Sequence, residues 1–254
     1  MIDSCRFTDI AVALGADGGG DLRKRDATVM RNDRVTAVVV GVLFFAATGS
    51  YLAGSELIAA AMNGPDRLSN LNTAQLRWGV FLEFVNAASV VGIGVLLFPI
   101  LRRHSEGMAL GYAGSRLIES ALLLVSALGA MMLPVLGREY RPADAANAAQ
   151  LSTLGTLAIE WYDLAFQLAL TVLGAGSLLL CFILYTGALV PRALAVLGGV
   201  GYAALFASGW LEMFDQGIGE VLYVPGAFFE IVFPLWLIAK GFNSPAVTAH
   251  TESG

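Results

Sequence analysis

This sequence has little charge. Only 14% of its 254 residues are Asp, Glu, Lys or Arg, while 57% are hydrophobic and the mean hydropathy is +0.70. A soluble domain carries about 25% charged residues, so this chain cannot coat a water-facing surface in the usual way. Its length goes into apolar spans and short loops, and the class is an all-α membrane protein. The formal net charge of -5, with no RNA- or DNA-binding motif, argues against a nucleic-acid partner.

Histidine and cysteine are scarcer still, with two of each. His104 falls in a loop and His250 in the C-terminal tail, so no histidine lies inside an apolar run. Ser–His chemistry of the rhomboid type and His-ligated zinc hydrolysis therefore lack their base or ligands. There is no HExxH, no nucleophile elbow and no aspartate-rich motif of the prenyl-transfer kind. No metal set, cofactor motif or catalytic residue is assigned. Cys5 and Cys181 lie in the N-terminal tail and in an apolar run, form no CxxC, and are not expected to pair; Cys181 reads as a small hydrophobe.

Residues 1–34 are polar and irregular, with "GADGGGD" followed by "LRKR", and no basic stretch leads into a signal-like apolar run. They read as a disordered cytoplasmic tail. "MRNDRVTAVVV" from Met30 offers an alternative start, which would make the first 29 residues an extension. Six apolar segments follow, at 35–61, 78–101, 108–133, 157–185, 192–211 and 221–239, each matching the ~20 residues of a spanning helix. Breaks at "NGPDRLSN", "RRHSEG", "GREYRPADAANAAQLST", "TGALVPR" and "MFDQGIGE" separate them, the third being the longest loop, and Pro191 is pre-set for a helix start. Residues 244–254 read as a second disordered tail.

Lys and Arg set the orientation. Ten fall on one side (Arg6, Arg23, Lys24, Arg25, Arg31, Arg34, Arg102, Arg103, Arg192 and Lys240), and four on the other (Arg67, Arg77, Arg138 and Arg141). Both termini are therefore expected in the cytoplasm, giving a six-transmembrane helical bundle. The fifteenth cation, Arg116, lies within a span.

Ionisable groups inside spans are the informative residues, because each costs about 2.5–3.5 kcal/mol at a helix centre on insertion scales. Arg116 and Glu119 stand three apart in "SRLIES", and Glu83 and Asn86 at the same spacing in "LEFVN". Such pairs share a helix face. Glu160, Asp163 and Gln167 in "IEWYDLAFQ" form one stripe. Glu230 is the central residue of the last span, and Pro234 removes the backbone hydrogen bond to its carbonyl. Glu119 and Glu230 fall near the midplane, with Arg116 one turn towards the cytoplasm. Glu83, Asn86, Asp163 and Glu160 lie progressively outward, and Glu56 and Glu212 at span ends extend the trend. The expectation is an acidic cavity opening outward with a lone arginine at its floor.

Packing alone offers a competing account. Arg116 with Glu119 or Glu230 is also a sufficient buried ion pair. Glu160 and Asp163 also fit a solvated first helical turn, and Glu56, Glu212, Asp215 and Glu220 fit the interface. Trp78, Trp161, Tyr162 and Tyr223 lie near span ends, as an aromatic belt requires. Gly107 and Gly111 form a GxxxG, the mark of close helix packing rather than a phosphate loop.

Three blocks carry a family likeness: "LLFPILRRHSEGMALGYAGSRLIESALLL", "LVPRALAVLGGVGYAAL" and "PGAFFEIVFPLWLIAKGFN". In order and spacing the chain resembles the bacterial membrane family called domain of unknown function 4386 (DUF4386), over roughly residues 34–243. The resemblance implies a multi-pass helical bundle in the bacterial cytoplasmic (inner) membrane and implies no reaction. Arg116, Glu119 and Glu230 fall within the matching blocks.

Three functions compete on this reading. The leading one is a membrane protein, with the lipid bilayer as its surroundings, that binds or transports a small molecule or ion. Arg116, Glu119 and Glu230 form its site, and Glu83, Asn86, Asp163, Gln167 and Glu160 its outer vestibule. There a carboxylate holds a proton or cationic group, and Arg116 its counter-charge or an anionic group. The second is an intramembrane enzyme in which Glu83, Glu160 and Asp163 hold a hard cation such as magnesium. The third is a structural or regulatory membrane protein whose polar residues only lock helices together. Oligomeric state is not legible.

Overall fold

The structure is a computed structural model that describes residues 5–62, 68–214 and 222–243, with side chains from residue 30 onward. Six helices occur among the described residues, and no strand: α1 (Cys5–Ala61), α2 (Thr73–Leu101), α3 (Glu106–Tyr140), α4 (Ala145–Thr186), α5 (Arg192–Met213) and α6 (Tyr223–Ala239). Five, counting α1 from Met30, are long and apolar enough to cross a membrane; α6, with 17 residues, is a shorter apolar helix. Leu, Val and Phe side chains such as Val42, Phe84, Leu117, Leu164 and Val200 are exposed on the outside of the bundle. That surface fits lipid rather than water. The expected tails, Arg67, Asp215, Glu220 and the first residue of the last expected span lie at least partly outside the residues whose side chains are described.

Each helix packs mainly against its neighbours in sequence, and α6 returns to α1, so the six helices form a closed ring. Arg34 ties the ring shut. Its guanidinium donates to the carbonyls of Leu237 (2.9 Å), Ile238 (2.7 Å) and Ala239 (3.3 Å). The Leu237 carbonyl also accepts from the Gly241 amide, and all three belong to the last turn of α6, where a helix leaves carbonyls without intrahelical donors. At the same end, Arg103 donates to both oxygens of Asp33 (2.6 and 3.0 Å), and this bonding raises the Arg103 pKa above its ordinary value. Asn243 donates to the carbonyls of Leu189 and Ala188, closing the α4–α5 turn onto the end of α6. The start of the apolar part of α1 and the end of α6 thus share one end of the bundle.

The polar stretch 137–153, expected as the longest loop, is nearly all helix. Only residues 141–144 separate α3 from α4. Asp144 accepts from the Asn147 amide at 2.9 Å as an N-cap, and the alanine-rich "AANAAQ" that follows has high helix propensity. The GxxxG expectation is also corrected. A Cβ at Gly107 would meet nothing, and one at Gly111 would touch only a Leu179 methyl. Backbones approach elsewhere: a Cβ at Gly129 would lie 2.7 Å from the Ala158 carbonyl oxygen, and one at Gly201 2.8 Å from Gly226.

Two apolar cores result. The larger, which includes Phe44, Ile93, Leu97, Tyr112, Leu180, Tyr202, Phe229 and Phe233, draws on all six helices. The smaller, built on Ile58, Leu76, Leu133 and Ala158 at the opposite end, contains no residue of α5 or α6.

Candidate functional site

The ring encloses a cavity of about 340 Å³ to which every helix contributes. That volume falls within the ~300–1,000 Å³ typical of small-molecule sites. The helical repeat explains the lining. On α6, Tyr223, Gly226, Ala227 and Glu230 are spaced i, i+3, i+4 and i+7, one inward stripe. On α1, Phe44, Ala47, Thr48 and Tyr51 repeat the pattern. Along α6 the cavity reaches from Glu230 to Tyr223, the first residue of that helix.

Arg116 and Glu119 form the floor, both almost fully buried, at 3% and 4% exposure. The guanidinium is engaged at every nitrogen. Its Nη1 donates to both Glu119 oxygens (2.9 and 3.2 Å), Nε to the Tyr112 hydroxyl (3.0 Å) and Nη2 to Ser177 Oγ (3.2 Å). The Tyr112 and Phe44 rings lie 5.1 and 5.9 Å from its centre. Both charges are therefore paired and hydrogen-bonded, as charges in a low-dielectric interior must be. Gly94 makes room for the arginine stem: a Cβ there would lie 3.0 Å from Arg116 Cβ.

Glu230 is a different case. The two alternatives for the Arg116 counter-charge were Glu119 and Glu230, and the direct ion pair goes to Glu119. Glu230 accepts from the Tyr202 hydroxyl on one oxygen (3.2 Å) and from Thr48 Oγ1 on the other (3.4 Å). No cation forms a direct pair with it among the described residues. It is half-buried, and it lines the cavity. The geometry on α3 decides the pairing: a three-residue offset on one helix presents Glu119 to Arg116 without any movement of a second helix.

The expected vestibule divides. Asn86 lines the cavity together with the three charged residues. Glu83, one turn away and buried, accepts a 2.5 Å hydrogen bond from Tyr162, joining α2 to α4. Gln167 accepts from the Tyr223 hydroxyl at 3.4 Å, while its buried Nε2 has no partner. Glu160 and Asp163 are exposed and do not line the cavity, so the acidic stripe of α4 does not continue inward. Glu83, Glu160 and Asp163 do not converge, and no three metal-ligating side chains come together among the described residues. Tyr162, assigned to an aromatic belt, instead points into the bundle.

Several residues of the site carried no clear sequence signal. Thr48, Tyr51, Ser177, Phe166 and Tyr202 read as ordinary span residues. The one usable clue was Tyr202 in mid-helix, whose hydroxyl needs a partner once buried. Tyr51 stacks on Phe166 at 5.1 Å and 10°, forming one aromatic wall.

The chain matches no curated protein and no solved structure. The family model "Domain of unknown function (DUF4386)" matches residues 39–241, which contain every cavity-lining side chain named above, and the chain therefore belongs to the DUF4386 family.

Proposed function

We propose that this protein is a six-span protein of the bacterial cytoplasmic membrane, with both termini in the cytoplasm, that takes up a small ligand in its central cavity as a carrier or receptor. The observation that carries this reading is Glu230: a carboxylate on the wall of a cavity shared by all six helices, held by two hydroxyls and, among the described residues, in no direct ion pair. A chain that needed only helix packing gains nothing from a hollow at that place, since filling it with apolar side chains would add contacts. Orientation rests on the ten-to-four distribution of Lys and Arg. The cavity reaches the first turn of α6, on the side where the second core omits α5 and α6, and that side is its mouth.

The packing account keeps one part of the site. Arg116 has all its nitrogens engaged by its own protein, so the Arg116–Glu119 pair fixes the floor and is no ligand anchor. The test is ligand binding and solute flux in proteoliposomes, comparing wild type with Glu230→Gln. Loss of binding in the variant supports the reading, and unchanged binding of every ligand would refute it.

A further inference from the structure

We infer that the ligand of the central cavity is a monovalent organic cation with an apolar or aromatic body, of the quaternary-ammonium kind, whose charge seats against Glu230. This deepens the ligand-binding reading and rests on it.

Three ionisable side chains line the cavity: Arg116, Glu119 and Glu230. Arg116 and Glu119 pair through two hydrogen bonds, and no cation pairs directly with Glu230 among the described residues. An anionic ligand would meet that carboxylate, with only the second N–H of Nη2 left on a guanidinium already bonded at every nitrogen. A cation would supply the missing charge.

The rest of the wall favours an organic cation. Apart from these groups it is built from Phe44, Tyr51, Phe166, Tyr223 and aliphatic side chains, with Asn86 and Thr48 as the remaining polar contributors. A small inorganic cation would need several oxygen ligands to replace its water, and no cluster of metal-ligating side chains is present among the described residues. An organic cation carries its own apolar shell. It gains from contact with aliphatic walls and from aromatic faces, whose quadrupoles attract a cation. The stacked Tyr51–Phe166 pair and Tyr223 supply such rings within the same cavity as Glu230.

Glu230 also has bonding capacity left. A carboxylate has about four acceptor directions. Two are used, by hydroxyl donors at 3.2 and 3.4 Å, and neither donor carries charge. Those hydroxyls orient the group and leave its charge available.

The test uses three probes of one shape on the full-length protein in nanodiscs: benzyltrimethylammonium, its neutral carbon isostere neopentylbenzene, and benzylsulfonate. Equilibrium binding of each is measured for wild type and Glu230→Gln, with the exposed Glu106→Gln, outside the cavity lining, as a control that leaves affinity unchanged. The expected result is binding of benzyltrimethylammonium about tenfold or more tighter than the neutral isostere, a difference that Glu230→Gln abolishes. The wild-type comparison stands by itself if the variant does not fold. Equal affinity for the cation and its isostere, or preference for the sulfonate, would overturn the cation assignment and leave the cavity a ligand site. Failure of all three probes to bind wild type would count against both readings.

Discussion

Arg116 and Glu119 face each other across one turn of α3, Nη1 to Oε2 at 2.9 Å, and each is the other's only ion-pair partner among the described residues. Removing one member leaves a buried charge alone, at a cost of about 3–5 kcal/mol, whereas replacing both by apolar groups is often close to neutral. Arg116→Met and Glu119→Leu are each expected to destabilise strongly, and the double variant by much less than their sum. Unfolding in mixed detergent and SDS micelles measures all four corners of the cycle. Additive losses would mean that the two charges do not depend on each other.

Glu83 and Tyr162 join α2 to α4 through a hydrogen bond of 2.5 Å. Tyr162→Phe keeps the ring and leaves a buried carboxylate without that donor, for an expected loss of about 1–3 kcal/mol. Glu83→Gln on its own weakens the same bond. A double-mutant cycle should return a coupling of about 0.5–3 kcal/mol, as contacting pairs do. No coupling would show that the bond contributes nothing.

Arg34 caps α6 from a different helix. Its side chain is exposed, so its contribution is modest, about 0.3–1 kcal/mol for a cation at a helix C-terminus. Arg34→Ala is expected to lower the thermal midpoint slightly and to raise amide exchange at the end of α6, with exchange in α3 unchanged. Equal exchange throughout would remove Arg34 as the clasp of the ring.

What the sequence made legible follows from contrast. Glu230, Arg116 and Glu119 stand out because an ionisable group in an apolar run is costly and rare. The all-helical class and five of the helices follow from long apolar runs. Thr48 and Tyr202 did not stand out, because a hydroxyl on a residue at home in hydrocarbon leaves no compositional mark. Glu160 and Asp163 share a stripe with Gln167 by spacing, yet only Gln167 is covered, bonded to Tyr223 of α6, because periodicity fixes relative angle along a helix and not which neighbours reach each level. The alanine-rich start of α4 read as loop because polar residues interrupt it, while helix propensity and the Asp144 cap carried it into helix.

The central claim is that Glu230 gives the cavity a negative wall open to solutes. Charged thiosulfonate labelling of Ala227→Cys, one turn from Glu230 on the same stripe, tests it most directly in a background with Cys5 and Cys181 replaced by alanine. The account expects Ala227→Cys to react with a trimethylammonium reagent faster than with a sulfonate reagent. Adding Glu230→Gln should erase that preference, and the outward-facing Val200→Cys should stay unreactive. An Ala227→Cys thiol that resists both reagents, or reacts faster with the sulfonate, would contradict the claim.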